Sequence, residues 1–179
     1  MPQITQNEMS PDTVVELAER YPNFCLFRDS SGEDRVALSK RDFGGVHLLR
    51  GAEAEYTKWI SGTEDIYHGF LLSTGNCLAR ELHQVVALTQ QGRTDEATQL
   101  SDRLTSAVNE VFGLVADLPD GNAFTNANKA MDHFFAYGPE AAQAPPPRLH
   151  AGSTLPMAIV QATGDVVQRH DLMPESGYL

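Results

Sequence analysis

The stretch Phe24-Cys25-Leu26-Phe27-Arg28-Asp29-Ser30-Ser31-Gly32 constrains this chain most. It is a short apolar run that ends in a charged residue and a small polar turn. The pattern predicts a short buried strand over Phe24 to Phe27, leading through Gly32-Glu33-Asp34 into a helix with Val36, Ala37 and Leu38. Related patterns follow. Val46-His47-Leu48-Leu49 ends at Arg50-Gly51, and a helix with Ala54, Tyr56, Trp59 and Ile60 comes after it. Gly69-Phe70-Leu71-Leu72-Ser73-Thr74 reads as a third strand, ended by Gly75-Asn76. Short strands alternating with helices mean βα units and a parallel sheet. In such units the C-terminal end of a strand is where a functional side chain is delivered, and Arg28 holds such a place.

The flanking segments are helical. Ser10-Pro11-Asp12-Thr13 is a helix start, with Ser as N-cap and Pro at the first helical position. Val14, Leu17 and Ala18 make its apolar stripe, and Pro22 disfavours helical geometry at Tyr21. After Asn76 the period changes. Leu78, Leu82, Val85 and Val86 recur at helical spacing, as do Ala97, Leu100, Leu104, Val108, Val111 and Val115 behind Thr94-Asp95-Glu96. Ala127, Ala130, Met131, Phe134 and Phe135 mark a shorter helix, Pro145-Pro146-Pro147 a rigid connector, and Leu155 to His170 a last helix weakened by Gly164. The expected organisation is a βα segment over residues 1–76 and a helical segment over 77–179.

Charge narrows the partners. The chain has 179 residues and a formal net charge of -11, which argues against nucleic acid and anionic membranes as partners. No apolar run approaches the ~20 residues of a membrane span. The N-terminus lacks the basic and apolar regions of a secretory signal. Cys25 and Cys77 lack metal-ligand spacing and are expected as reduced, buried thiols of a cytoplasmic protein. His47, His83 and His133 read as packing histidines. No two histidines have the i, i+4 spacing of a helical metal site, so neither metal nor other cofactor is expected. Trp59 reads as core, Gly44-Gly45 as a turn, and Asp29, Glu33, Asp34 and Arg35 as a solvated ion-pair cluster. Ser73 and Thr74 either touch a ligand or cap the helix that follows.

Short motifs, in order along the chain, resemble the C-terminal half of the dihydrodipicolinate synthase/N-acetylneuraminate lyase family. Ser10-Pro11-Asp12-Thr13-Val14 resembles the family's helix after strand five. Arg28-Asp29-Ser30-Ser31-Gly32 resembles its active-lysine motif on strand six. Leu49-Arg50-Gly51 resembles the end of strand seven, and Gly69 to Asn76 resembles strand eight. Gly121-Asn122-Ala123-Phe124 and Leu155-Pro156 resemble signatures of its helical C-terminal segment. Met1-Pro2 matches the last two places of the family's Tyr-Asn-x-Pro motif, whose proton-shuttling tyrosine would precede Met1. The paired threonines that bind the substrate carboxylate match nothing here.

The resemblance implies an α/β fold: a partial (β/α)8 TIM barrel, about strands six to eight, followed by a helical layer. It implies a lyase or aldolase ancestry, acting on pyruvate or another 2-keto acid through a Schiff base. Gly51 and the Leu71 carbonyl would then line the substrate site, with Ser73 beside them. Two departures stand out. Ile4 occupies the place of an arginine that serves the dihydrodipicolinate synthase branch, and Arg28 occupies the place of the Schiff-base lysine. Arginine stays protonated and does not form an imine, though it can hold a carboxylate by a bidentate contact. The chain is therefore expected to be inactive alone, with Arg28 structural, vestigial or carboxylate-binding. The alternative is a non-catalytic subunit. A partial barrel leaves an edge and a face to cover, so a homo-oligomer or a complex with another barrel chain is expected.

Overall fold

The computed structural model describes residues 6–60 and 66–179. Met1-Pro2 and Ile4 lie outside the described residues. Helix α1 (Pro11–Arg20) starts where Ser10 accepts the Thr13 amide at 3.2 Å and buries Val14. It is followed by β1 (Leu26–Asp29), α2 (Arg35–Leu38), β2 (His47–Arg50), α3 (Tyr56–Ile60) and β3 (Gly69–Phe70). The strands form one parallel sheet in the order β1-β2-β3. Each strand is thus joined to its neighbour through a short helix, as βα units require.

The register divides the sheet into two faces. Leu26 pairs with His47, Arg28 with Leu49, and Leu49 with Gly69. Side chains alternate along a strand, so Leu26, Arg28, His47 and Leu49 share one face, which Leu71 extends. Phe27, Asp29, Leu48, Arg50 and Phe70 share the other. That second face is covered: Phe27, Leu48 and Phe70 belong to a core with Val14, Val36, Trp59 and Tyr67. The first face is open, with Leu26 45% and Leu71 47% exposed.

The rest of the chain is helical: α4 (Gly75–Gln90), α5 (Thr94–Val115), α6 (Ala123–Tyr137), a 3-10 segment (Gly138–Gln143) and α7 (Met157–Arg169). Their apolar stripes meet in a second, larger core that includes Leu82, Leu104, Val111, Met131 and Val160. Gly164 belongs to that packing. A Cβ there would lie 2.7 Å from Cζ of Phe134, so the bare backbone lets α7 approach α6 closely. Asn122 caps α6 by accepting the Thr125 amide at 3.0 Å. Among the described residues, no helix is long and apolar enough to cross a membrane.

Four expectations need correction. The first strand lies at Leu26–Asp29, two residues beyond its expected start, and is half open rather than buried. Cys25 is exposed; Cys77 is buried, and burial, then the Asp132 and Glu53 charges, pushes its thiol up to about 12. The third strand keeps only Gly69 and Phe70, because the chain turns at Ser73-Thr74 and enters α4 at Gly75. Asp29 and Asp34 are buried, whereas Glu33 and Arg35 form the exposed pair expected of the whole cluster.

Candidate functional site

The C-terminal ends of the three strands bring Arg28, Gly51 and Leu71 together. Arg28 Nε donates to the Leu71 carbonyl at 2.7 Å, and its Nη2 donates to the Gly51 carbonyl at 3.4 Å. The guanidinium thus reaches from β1 across the end of β2 to the residue after β3. Gly51 is fitted to it: a Cβ there would stand 2.6 Å from Arg28 Nε and 2.8 Å from Ser30 Oγ. The carbonyls and the bare Cα fix where the guanidinium lies. Among the described residues no carboxylate reaches Arg28 at ion-pair distance.

Ser73 is placed differently. Its hydroxyl donates to Glu53 Oε1 at 3.0 Å. Glu53 also accepts the Thr74 amide at 3.1 Å, the Thr74 hydroxyl at 2.6 Å and the Tyr56 hydroxyl at 3.2 Å. Four donors converge on one carboxylate at the start of α4, where a negative charge also suits the helix dipole. Burial, then the Glu53 charge, raises the Tyr56 phenol well above its ordinary range, so it stays a donor. Sequence reasoning missed Glu53. The available signal was an acid two residues after the strand-end Gly51, facing a Ser-Thr pair.

A second network lies beneath, on the covered face. Arg50 donates from Nε to Asp34 Oδ1 at 2.9 Å and from Nη2 to Oδ2 at 3.2 Å, a fork-to-fork pair. Its Nη1 donates to the carbonyls of Ala52 and Ala54 at 2.8 and 2.9 Å. The guanidinium stacks 4.4 Å from the Trp59 ring centroid. Tyr67 donates to Asp34 Oδ1 at 2.6 Å and also reaches Asp29 Oδ2 at 3.2 Å. Asp29 in turn accepts the Ser31 amide and hydroxyl at 2.9 and 2.6 Å. Burial, followed by the two carboxylates, raises the Tyr67 phenol far above its usual range. This network ties the loops after β1 and β2 together and so holds the platform that carries Arg28 and Gly51.

The remaining candidates are dispersed. His133 is buried and donates from Nε2 to the Ala141 carbonyl at 2.7 Å. His68 Nδ1 accepts the Leu48 amide at 3.0 Å and its ring meets His47 edge-on. Among the described residues, no group of three or more His, Cys, Asp or Glu side chains is placed to hold a metal ion. The chain's three lysines lie away from the strand ends' open face: Lys58 stacks on Trp59, Lys129 donates to the Arg148 carbonyl, and Lys40 lines a hollow of about 490 Å³ beside Phe43 and His68.

No protein-family model matches the sequence. Among solved structures, the chain is similar to a protein from Coccidioides immitis described as a member of the dihydrodipicolinate synthase family. The TM-score is 0.57 at 14% identity, over 93% of this chain and 52% of the other. The chain spans about half the length of that protein, and the likeness is one of fold: a small parallel sheet with many helices around it.

Proposed function

We propose that the three βα units are a partial (β/α)8 barrel of the dihydrodipicolinate synthase/N-acetylneuraminate lyase superfamily, silent in the Schiff-base chemistry of its ancestors. In this reading β1 to β3 stand where strands six to eight stand in the family. One observation carries it. The side chain at the strand-end position of the active lysine is a guanidinium, tied to the carbonyls of Leu71 and Gly51. Imine formation needs a neutral amine that attacks a carbonyl. A guanidinium is a charged, delocalised group that does not act as that amine. The fold likeness supports the ancestry, and the three lysines sit elsewhere.

The test is incubation with pyruvate and borohydride, followed by intact mass and peptide mapping. The expected result is no adduct. A stable adduct at Lys40, Lys58 or Lys129 would refute the reading.

The open sheet face favours a second role alongside it, as a non-catalytic subunit paired with its own kind or with another barrel chain. Leu26, Leu49 and Leu71 lie on that face, and among the described residues no strand pairs with the outer edge of β1 or of β3. Exposed apolar faces and unpaired edges drive association. Light scattering over a concentration series, with a hydrophobic dye as a second readout, tests this. A clean monomer that binds no dye counts against it.

A further inference from the structure

Arg28 is held in a way the other arginines are not. Every other arginine of the chain except the exposed Arg148 faces a carboxylate at ion-pair distance. In a chain of net charge -11, acids are plentiful, yet among the described residues none is set against Arg28. Its neighbours on the open face are Leu26, His47, Leu49 and Leu71, none of them acidic. The side chain is not loose either. Nε and Nη2 are anchored on two carbonyls, and Gly51 leaves the space that the fork occupies. Carbonyl anchors consume two donors and no charge. The result is a fixed, half-buried cation with its Nη1 group uncommitted among the described residues.

The donors left over, two on Nη1 and one on Nη2, can meet the two oxygens of a carboxylate end-on, and a guanidinium already immobilised loses less freedom when it binds. We infer that Arg28 is a receptor for a carboxylate, seated non-covalently at the C-terminal ends of the strands. The inference rests on the non-imine reading, since the side chain must remain a guanidinium. The carboxylate belongs either to a small organic acid or to an Asp or Glu of a chain that covers the face. Both present the same chemistry to Arg28.

The experiment has two arms on the full chain at constant ionic strength. In the first, calorimetry follows binding of pyruvate and of acetate to the wild type, Arg28→Gln and Gly51→Ala. Saturable binding is expected, weakened about tenfold or more by Arg28→Gln. Gly51→Ala should weaken it similarly with the charge retained, because the new Cβ drives the guanidinium off its carbonyls. If Arg28→Gln fails to fold by circular dichroism, Arg28→Lys, expected to bind severalfold more weakly, carries the same comparison. In the second arm, light scattering follows assembly of the wild type and Arg28→Gln with and without acetate. An assembly that loosens in the variant and with acetate assigns the carboxylate to a second chain and also supports the receptor. Binding and assembly that are both indifferent to Arg28→Gln overturn it. A borohydride adduct at a lysine would sink the non-imine reading, whereas indifference to Arg28 sinks the receptor alone.

Discussion

The sheet segment and the helical segment bury different things. The helical core is almost wholly apolar, built from Leu, Val, Ala, Met and Phe on four long helices. The sheet segment has a smaller apolar core and, beside it, the buried charges Asp29, Asp34 and Arg50. One region is held mainly by apolar packing, with Asn126, His133 and Glu81 buried at its margins, whereas the other also depends on opposite buried charges that must match. Burying an ion pair is no gain in itself, since desolvation offsets much of the attraction. Removing one member, however, strands the other without a partner. The two regions should therefore fail for different reasons, and substitutions can separate them.

The largest effect is expected from Arg50→Met. It leaves Asp34 buried with Tyr67 and no counter-charge, at a cost of about 3–5 kcal/mol. Denaturant unfolding followed by the fluorescence of Trp59, the chain's one tryptophan, should shift strongly, because the Arg50 guanidinium stacks on that ring. Far-ultraviolet ellipticity, dominated by α4 to α7, should shift less. Coincident transitions by both probes would break the comparison and make the molecule one cooperative unit.

Leu104→Ala addresses the other region. Leu104 is fully buried in the helical core, and such a truncation costs about 2–4 kcal/mol. The order of the two probes should reverse, with ellipticity lost first and Trp59 changing later. Next comes Leu26→Lys on the open sheet face. A substitution at an exposed site changes stability by no more than ~0.5 kcal/mol, but it should lower dye binding and assembly. A large loss of stability would mean that the face is covered in solution.

The smallest effect concerns pH. His170 and then Arg169 hold Glu110 below the usual carboxylate range at the α5–α7 contact. A depressed folded pKa gives stability that is present above the ordinary value of 4.5 and is lost as pH falls through the folded one. Glu110→Gln should slightly flatten the acid limb of helical unfolding and leave the Trp59 transition in place. The pair is solvent-exposed, so a steep change would be unexpected.

The element order was legible because periodicity changes sharply at Asn76, from short apolar runs to helical spacing. That Arg28, Gly51 and Leu71 share one end of the sheet was implied by the family resemblance rather than by local pattern, and the structure brings the three together without assigning them a role. Burial was not. Asp29 and Asp34 sit in a polar turn that reads as solvated, and only the register of Asp29 opposite Arg50, with Tyr67 arriving from a distant segment, takes them inside. The length of the third strand was misread for a related reason. Leu71, Leu72, Ser73 and Thr74 look like strand, but Glu53 draws Ser73 and Thr74 into a turn. Side-chain hydrogen bonds from remote residues leave no trace in local pattern.

The sheet order β1-β2-β3 repeats the chain order, and each strand pairs with the next to be synthesised. Each parallel pairing closes a crossover of about twenty residues, Leu26 to His47 and Leu49 to Gly69, which keeps its loop-closure cost modest. The sheet can therefore assemble while α5 to α7 are still emerging from the ribosome. Its face with Leu26 and Leu71 is then exposed on the nascent chain well before the helical core has closed.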